Sequence, residues 1–413
     1  MKYVKGYRCT LCDELHRDLS LNTCPRCGEL GILDVEYDYK AMKKVINETY
    51  FETNRTYSIW RYLPMMSVHN DTDVSATLHV GWTPLYRANK LEKKLNLEAL
   101  YLKDETVQPT GSLKDRASAV AAIKAIEEGH TTLACSSTGN AATSLAGNAA
   151  KLGLKTVIFV PKRSPIGKLR QLMIYGAKVI RVDGDYKRAY ALSKQAIEHF
   201  GWYNRNAAVN PHLVEGKKTV ALEIAEQLHF KLTDWVIVSV GDGCTVAGVY
   251  KGFYDLFHLG ILSNIPKILG VQASGCAPFY EAHEGNRGVE ETDEHTLADS
   301  IAVGIPRNPV KGLNAVKKSK GNWVTVSDEA MLKAMKTLGH DEGLFVEPAA
   351  SAVYAGLEKA LETNVIKHHE SVTLIMTGNG LKDPENAEKA TGAPALVNDD
   401  FKSILKHLDD ESE

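Results

Sequence analysis

From about Gly81 onward, short apolar runs alternate with stretches of helical period. Thr156–Val160, Lys178–Val182, Asp234–Val240, Ile268–Ala273 and Val372–Thr377 are short, apolar and bounded by polar or turn residues, so they read as buried strands. Val220, Ile224 and Leu228 recur every four residues on one face, which predicts a helix over 220–228. Ser327, followed by Asp328 and Glu329, reads as a helix N-cap with acids at the positive helix end. The alternation predicts an α/β fold with open parallel sheets covered by helices. No internal repeat or low-complexity segment interrupts it. The tail from Asn398 to Glu413 is polar, ends in acids and is expected to fray.

The first 38 residues follow another pattern. Cys9 and Cys12 form one CxxC pair, and Cys24 and Cys27 form a second, followed by Gly28. Each pair lets one tight turn present two thiolates to the same ion, and Gly28 permits the backbone angle that closes the second turn. Four thiolates complete a tetrahedron with no open position, so a structural zinc is expected, supplying folding energy that so short a segment lacks. His16 could compete as a ligand, but it reads rather as a surface residue.

Composition narrows the function classes. The chain has 413 residues, 44% hydrophobic and 24% charged, which is ordinary for a globular protein of two or three domains. A net charge of −2 gives no basic field for nucleic acid. No run approaches the roughly 20 apolar residues of a spanning helix, and the N-terminus lacks an apolar leader. A cytoplasmic protein with no membrane or nucleic-acid partner is expected.

Four segments share a strand or loop ending in small polar residues before a helix: Pro109–Arg116, Cys135–Ser144, Ser239–Gly248 and Thr377–Asp383. In open α/β sheets such turns gather at the C-terminal strand edge, where ligands bind. Glycine-containing helix starts cradle anions, because backbone N–H groups approach closely. Lys114 stands at one such start, where a cation is electrostatically misplaced. Positive helix ends and desolvation favour its free amine, the form that attacks a carbonyl carbon. Pyridoxal phosphate meets all three demands: an aldehyde for Lys114, a phosphate for a glycine loop, and a ring needing hydrogen-bond partners.

Pro109–Arg116, Ser136–Asn140, Tyr175–Ile180, Glu215–Thr219 and Thr377–Asp383 together resemble threonine synthase, a pyridoxal-phosphate enzyme of fold type II, the tryptophan synthase β-like fold. Trp60–Met66 followed by Gly81–Leu85, and the cysteine-rich head, resemble threonine synthases with a zinc-ribbon-like N-terminus. The resemblance implies a zinc-ribbon segment over 1–38 and a large cofactor-binding domain over 39–115 and 216–398. A small α/β domain over 116–215 would be nested in it, with a polar tail over 399–413. It implies a homodimer acting on a small amino-acid substrate. Lys114 would hold the cofactor aldehyde and shuttle protons. Asn140 would bond the cofactor's 3-hydroxyl, and the amides of Ser137, Thr138, Gly139 and Asn140 would take the substrate carboxylate. Gly241, Asp242, Gly243, Cys244 and Thr245 would hold the cofactor phosphate, and Thr377 the ring nitrogen. Asp115 and Arg116 read as an ion pair steadying the helix start, and Glu347 as architectural, with lining of the site as its second reading.

The pattern also departs from that family. Ala141 stands where a hydroxyl residue is common, Leu213 where an arginine is common, and Asp242 and Thr245 at two asparagine places. A guanidinium–phosphate pair is among the stronger charge-assisted contacts, and leucine offers no donor. Lys162, Arg163, Lys168, Arg205, Lys217, Lys218 and Arg307 are the cations available to compensate. Three readings follow. The first is conversion of O-phosphohomoserine and water to threonine and phosphate. The second is β-elimination or β-replacement, as in serine or threonine dehydratases, diaminopropionate ammonia-lyases or cysteate synthases; Ala298–Val303 is reminiscent of the dehydratase and ammonia-lyase branches. The third is a non-catalytic zinc-ribbon regulatory protein.

Overall fold

The computed structural model describes residues 1–164 and 166–410, with the side chains at 166–168 and 409–410 outside the description. Three sheets organise the chain. At the N-terminus Val4–Cys9 pairs antiparallel with Leu15–His16 on one side and Leu33–Tyr37 on the other.

The largest sheet has six strands in the order Asn322–Val326, Lys267–Ala273, Trp235–Ser239, Ser371–Met376, Ala99–Asp104 and Leu85–Arg87. All neighbours are parallel except the last pair. A second, wholly parallel sheet orders Lys178–Val182, Lys155–Pro161, Thr132–Ser136 and Tyr203–Asn204. The five expected strands lie in these sheets with ends shifted by one residue at most, because continuous apolar runs mark strands buried on both faces. Ser327 caps its helix, its Oγ accepting from the Ala330 amide at 3.2 Å.

Two expectations need correcting. The helix read over 220–228 runs over His212–Gln227. Its first turns hide from periodicity because Glu215, Lys217, Lys218, Thr219 and Glu223 are buried alongside the apolar residues. The tail does not simply fray: Phe401–Asp410 is an amphipathic helix whose start is capped by Asp400, which accepts from the Ser403 amide at 2.9 Å. Phe401, Ile404, Leu405 and Leu408 form its exposed apolar stripe, at the i, i+3, i+4, i+7 spacing that a count of polar residues overlooks. Residues 411–413 of the expected tail lie outside the described residues.

Three helices converge behind the sheet edges: Lys114–Glu127, His212–Gln227 and Cys244–His258. Glycine at the crossings lets their backbones touch. A Cβ on Gly216 would lie 2.3 Å from the Arg116 carbonyl oxygen, and one on Gly252 2.5 Å from that of Lys218. This close packing draws Lys114, Lys217 and Thr245 to one cavity. No helix among the described residues is long and apolar enough to cross a membrane.

Candidate active site

Lys114 opens its helix immediately after a loop stitched to the Thr377–Asn379 turn. Ser112 bridges Gly378, and the Leu113 amide donates to the Thr377 carbonyl at 2.9 Å. Two segments remote in sequence thus form one wall of a cavity at the C-terminal ends of the parallel strands. Lys114 Nζ lies 3.4 Å from Thr245 Oγ1. Burial pushes the Lys114 amine below its usual value, against the opposing pull of Glu347.

Asn140, Gly241, Asp242, Gly243, Cys244, Thr245 and Thr377 line the same cavity. Gly243 has φ of +81° and precedes the helix Cys244–His258, whose first-turn amides have no intrahelical acceptors. A Cβ at Gly243 would meet the Asn308 carbonyl oxygen at 2.6 Å, so only glycine fits this turn. The Asp242 carboxylate is engaged by the Arg307 amide at 3.1 Å. Thr138 and Gly139 face an adjoining cleft together with Arg170 and Lys382. Ser137 lines neither space; its Oγ accepts from the Gly139 amide at 3.3 Å.

For Glu347 the second reading holds over the architectural one. It lines the cavity, and its two oxygens accept from Asn140 Nδ2 at 2.9 and 3.0 Å. Ser300 Oγ, 3.2 Å from the same nitrogen, completes the group. Burial raises the Glu347 carboxyl above the ordinary range. In sequence Glu347 precedes Pro348 and so resembles a plain helix start; nothing local points it at Asn140.

Asp115 and Arg116 do not pair. Asp115 accepts from Thr110 N, Thr110 Oγ1 and Asn148 Nδ2 at 2.8, 2.9 and 2.7 Å. Arg116 makes bidentate contacts with Glu105 and Glu223, and Lys103 joins Glu223 at 2.8 Å, all within the core. Consecutive helical residues point about 100° apart, so each finds its own partners.

The compensating cations also separate. Lys162 is exposed and pairs with Asp183, Arg163 is exposed, and the Lys168 side chain lies outside the described residues. Lys218 is committed to Glu215 and Asp255, and Arg307 stacks on Tyr190 at 4.6 Å. Arg205 and Lys217 line the cavity. Leu213 is packed in the core of the smaller sheet beside Ala117, Leu133 and Leu145.

At the N-terminus the sulfurs of Cys9, Cys12, Cys24 and Cys27 lie within 4.8 Å of one another. Cys12 and Cys24 Sγ are 3.8 Å apart. A tetrahedron with metal–sulfur bonds of about 2.3 Å has an edge of about 3.8 Å, so this pair is spaced as two ligands of one metal ion would be. Gly28 has φ of +63°, the left-handed angle read from its place after Cys27. His16 is not a plain surface residue: its Nε2 lies 3.3 Å from Cys24 Sγ, because pairing with Tyr7 across the hairpin turns it inward.

Residues 76–378 match the family described as pyridoxal-phosphate dependent enzyme, and the chain belongs to that family. Solved structures share the fold. Holo diaminopropionate ammonia lyase from Escherichia coli superposes with a TM-score of 0.68 at 18% identity, covering 85% of this chain and 97% of that one. Threonine deaminase isoform 2 from Solanum lycopersicum, in its processed form, gives 0.63 at 22% identity, covering 85% and 87%.

Within the family the chain is similar to threonine synthases. It is 39% identical over 408 residues to that of Methanocaldococcus jannaschii, covering 97% of this chain and 99% of the other. Identity to the Methanosarcina acetivorans enzyme is 37% over 411 residues, 99% of each chain. To that of Mycobacterium tuberculosis H37Rv it is 35% over 333 residues, 80% of this chain and 90% of the other. It is a pyridoxal-phosphate-dependent enzyme of the threonine synthase type.

Proposed function

We propose that the enzyme converts O-phosphohomoserine and water to threonine and phosphate, with pyridoxal phosphate held on Lys114. The observation that carries the reading is a buried amine of lowered basicity opposite a glycine turn that admits no side chain. The pocket chemistry fits the cofactor: the amides of Gly243–Thr245 suit its phosphate, Asn140 its 3-hydroxyl and Thr377 its ring nitrogen. When bound, the cofactor supplies an electron sink that acidifies C–H bonds next to the substrate amine.

The chain's own residues do the rest. Lys114 Nζ takes the proton from the substrate Cα and delivers protons along the side chain. The amides from Ser137 to Asn140 orient the substrate carboxylate, at the mouth that Thr138 and Gly139 line. Thr377 carries no charge, so it leaves the ring nitrogen unprotonated, which suits elimination and replacement. Glu347 fixes the Asn140 amide. The reading includes a structural zinc on Cys9, Cys12, Cys24 and Cys27. It also includes a cytoplasmic homodimer.

The test is release of inorganic phosphate from O-phosphohomoserine by holoenzyme, with borohydride reduction leaving a pyridoxyl group on the Lys114 peptide. Ala141 and the buried Leu213 favour one second reading, β-elimination. Release of ammonia and a 2-oxo acid from serine or threonine, without phosphate release from the ester, would select it.

A further inference from the structure

Lys217 is 4% exposed, lines the cavity and, among the described residues, has no hydrogen-bond or ion-pair partner. Its neighbours in sequence behave differently: Lys218 is clamped by two carboxylates at 2.5 and 2.6 Å. Arg205, 3% exposed, reaches the same cavity, and among the described residues its guanidinium is held by Ser118 Oγ alone, at 3.3 Å from Nε and 3.1 Å from Nη2. Two buried cations without carboxylate partners are costly unless an anion joins them. The loop Gly241–Thr245 supplies neutral amides for one phosphate, and Lys114 is committed to chemistry. Lys217 and Arg205 line the cavity beside that loop, so it holds positive charge beyond the loop's neutral amides.

The position of Lys217 explains how. Leu213, where the resemblance leads one to expect an arginine, is sealed in the core at 1% exposure. Lys217 lies four residues later on the same helix, His212–Gln227, one turn or about 6 Å along the same face. Gly248 makes room, since a Cβ there would lie 2.8 Å from Lys217 Cβ. We propose that Lys217, supported by Arg205, is a relocated receptor for a second tetrahedral dianion, the phosphate ester of the substrate side chain. On this proposal Lys217 supplies, one helical turn on, the positive charge that Leu213 cannot. This inference rests on the phosphate-ester reading above.

Inorganic phosphate titrated into cofactor-loaded enzyme, followed by calorimetry and by cofactor absorbance, tests it. Wild-type holoenzyme should bind phosphate and sulfate but not acetate. Lys217→Met should weaken phosphate by about 100-fold, the scale of a lost charged hydrogen-bond pair, and Lys217→Arg should recover most of it. Cofactor affinity should change by less than about threefold. A Lys217→Met protein that sheds its cofactor would assign Lys217 to the cofactor phosphate and overturn the proposal. So would unchanged phosphate affinity, or no phosphate binding by wild type. Melting of the apoprotein guards against misfolding, since removing an unpartnered buried cation should raise stability. If phosphate binding depends on Lys217 while O-phosphohomoserine is not turned over, the subsite stands and the reaction assignment falls.

Discussion

Asn140 Nδ2 donates to both carboxylate oxygens of Glu347, joining positions 207 residues apart across the mouth of the cavity. Glu347 also opposes the desolvation that lowers the basicity of Lys114. Glu347→Gln should therefore lower the Lys114 amine further, shifting the pH dependence of cofactor uptake by the apoenzyme toward acid. A loss of about 10- to 100-fold in kcat should accompany it, because the Asn140 amide exchanges two carboxylate acceptors for one neutral amide oxygen. An unshifted pH profile would make Glu347 merely structural.

Lys217 predicts a stability profile. Burial lowers its amine from the usual 10.5 to about 8. The unfolded chain then binds more protons between those values, so the apoprotein gains stability as pH rises from about 8 to about 10.5. The gain is lost again as pH falls through the folded value. Its ceiling is about 3 kcal/mol. Denaturant unfolding of wild type and Lys217→Met across this range should show the rise in wild type alone.

Arg116 is the hub of a buried cluster with Glu105, Glu223 and Lys103. Coulomb attraction from Arg116 and Lys103 outweighs burial and brings the Glu223 carboxyl down to about 2. Arg116→Met would leave two carboxylates facing one ammonium. A loss of about 3–5 kcal/mol in urea unfolding is expected. Arg116→Lys should recover only part, since an ammonium cannot contact two carboxylates bidentately.

On the proposed zinc site, wild type should carry about one ion per chain by elemental analysis, and Cys24→Ser should lose it and expose the first 38 residues to protease. The effect should reach the catalytic helices. Tyr37 donates to Glu215 from the N-terminal sheet, and Tyr39 OH donates to Asp255 at 2.7 Å. Retention of full zinc by the variant would move the metal to other ligands.

The N-terminal cysteines, the five central strands and the glycine-bearing turns are legible in sequence because each is written in local spacing. Two CxxC pairs, an apolar run five to seven residues long or a small-residue turn before a helix needs no knowledge of distant partners. The start of the helix at His212 is not legible in that way. It is buried on all sides, so charged residues occupy positions that periodicity assigns to solvent. The terminal helix was missed for the converse reason, its short apolar stripe being diluted by polar neighbours.

By itself, the sequence determined which segments could form strands, thiolate knuckles and anion-cradling turns, and which cations were available to meet a second phosphate. Only the tertiary structure decided their assignments. It turned Glu347 to Asn140 and sent Arg116 to Glu105 and Glu223 instead of its neighbour Asp115. It also left Lys217 in the cavity without an ion-pair partner among the described residues while burying Lys218 between two acids. The reason is physical. A charge in the interior is governed by whichever partner folding brings within a few ångströms, and those partners lie tens to hundreds of residues away, beyond the reach of any local pattern.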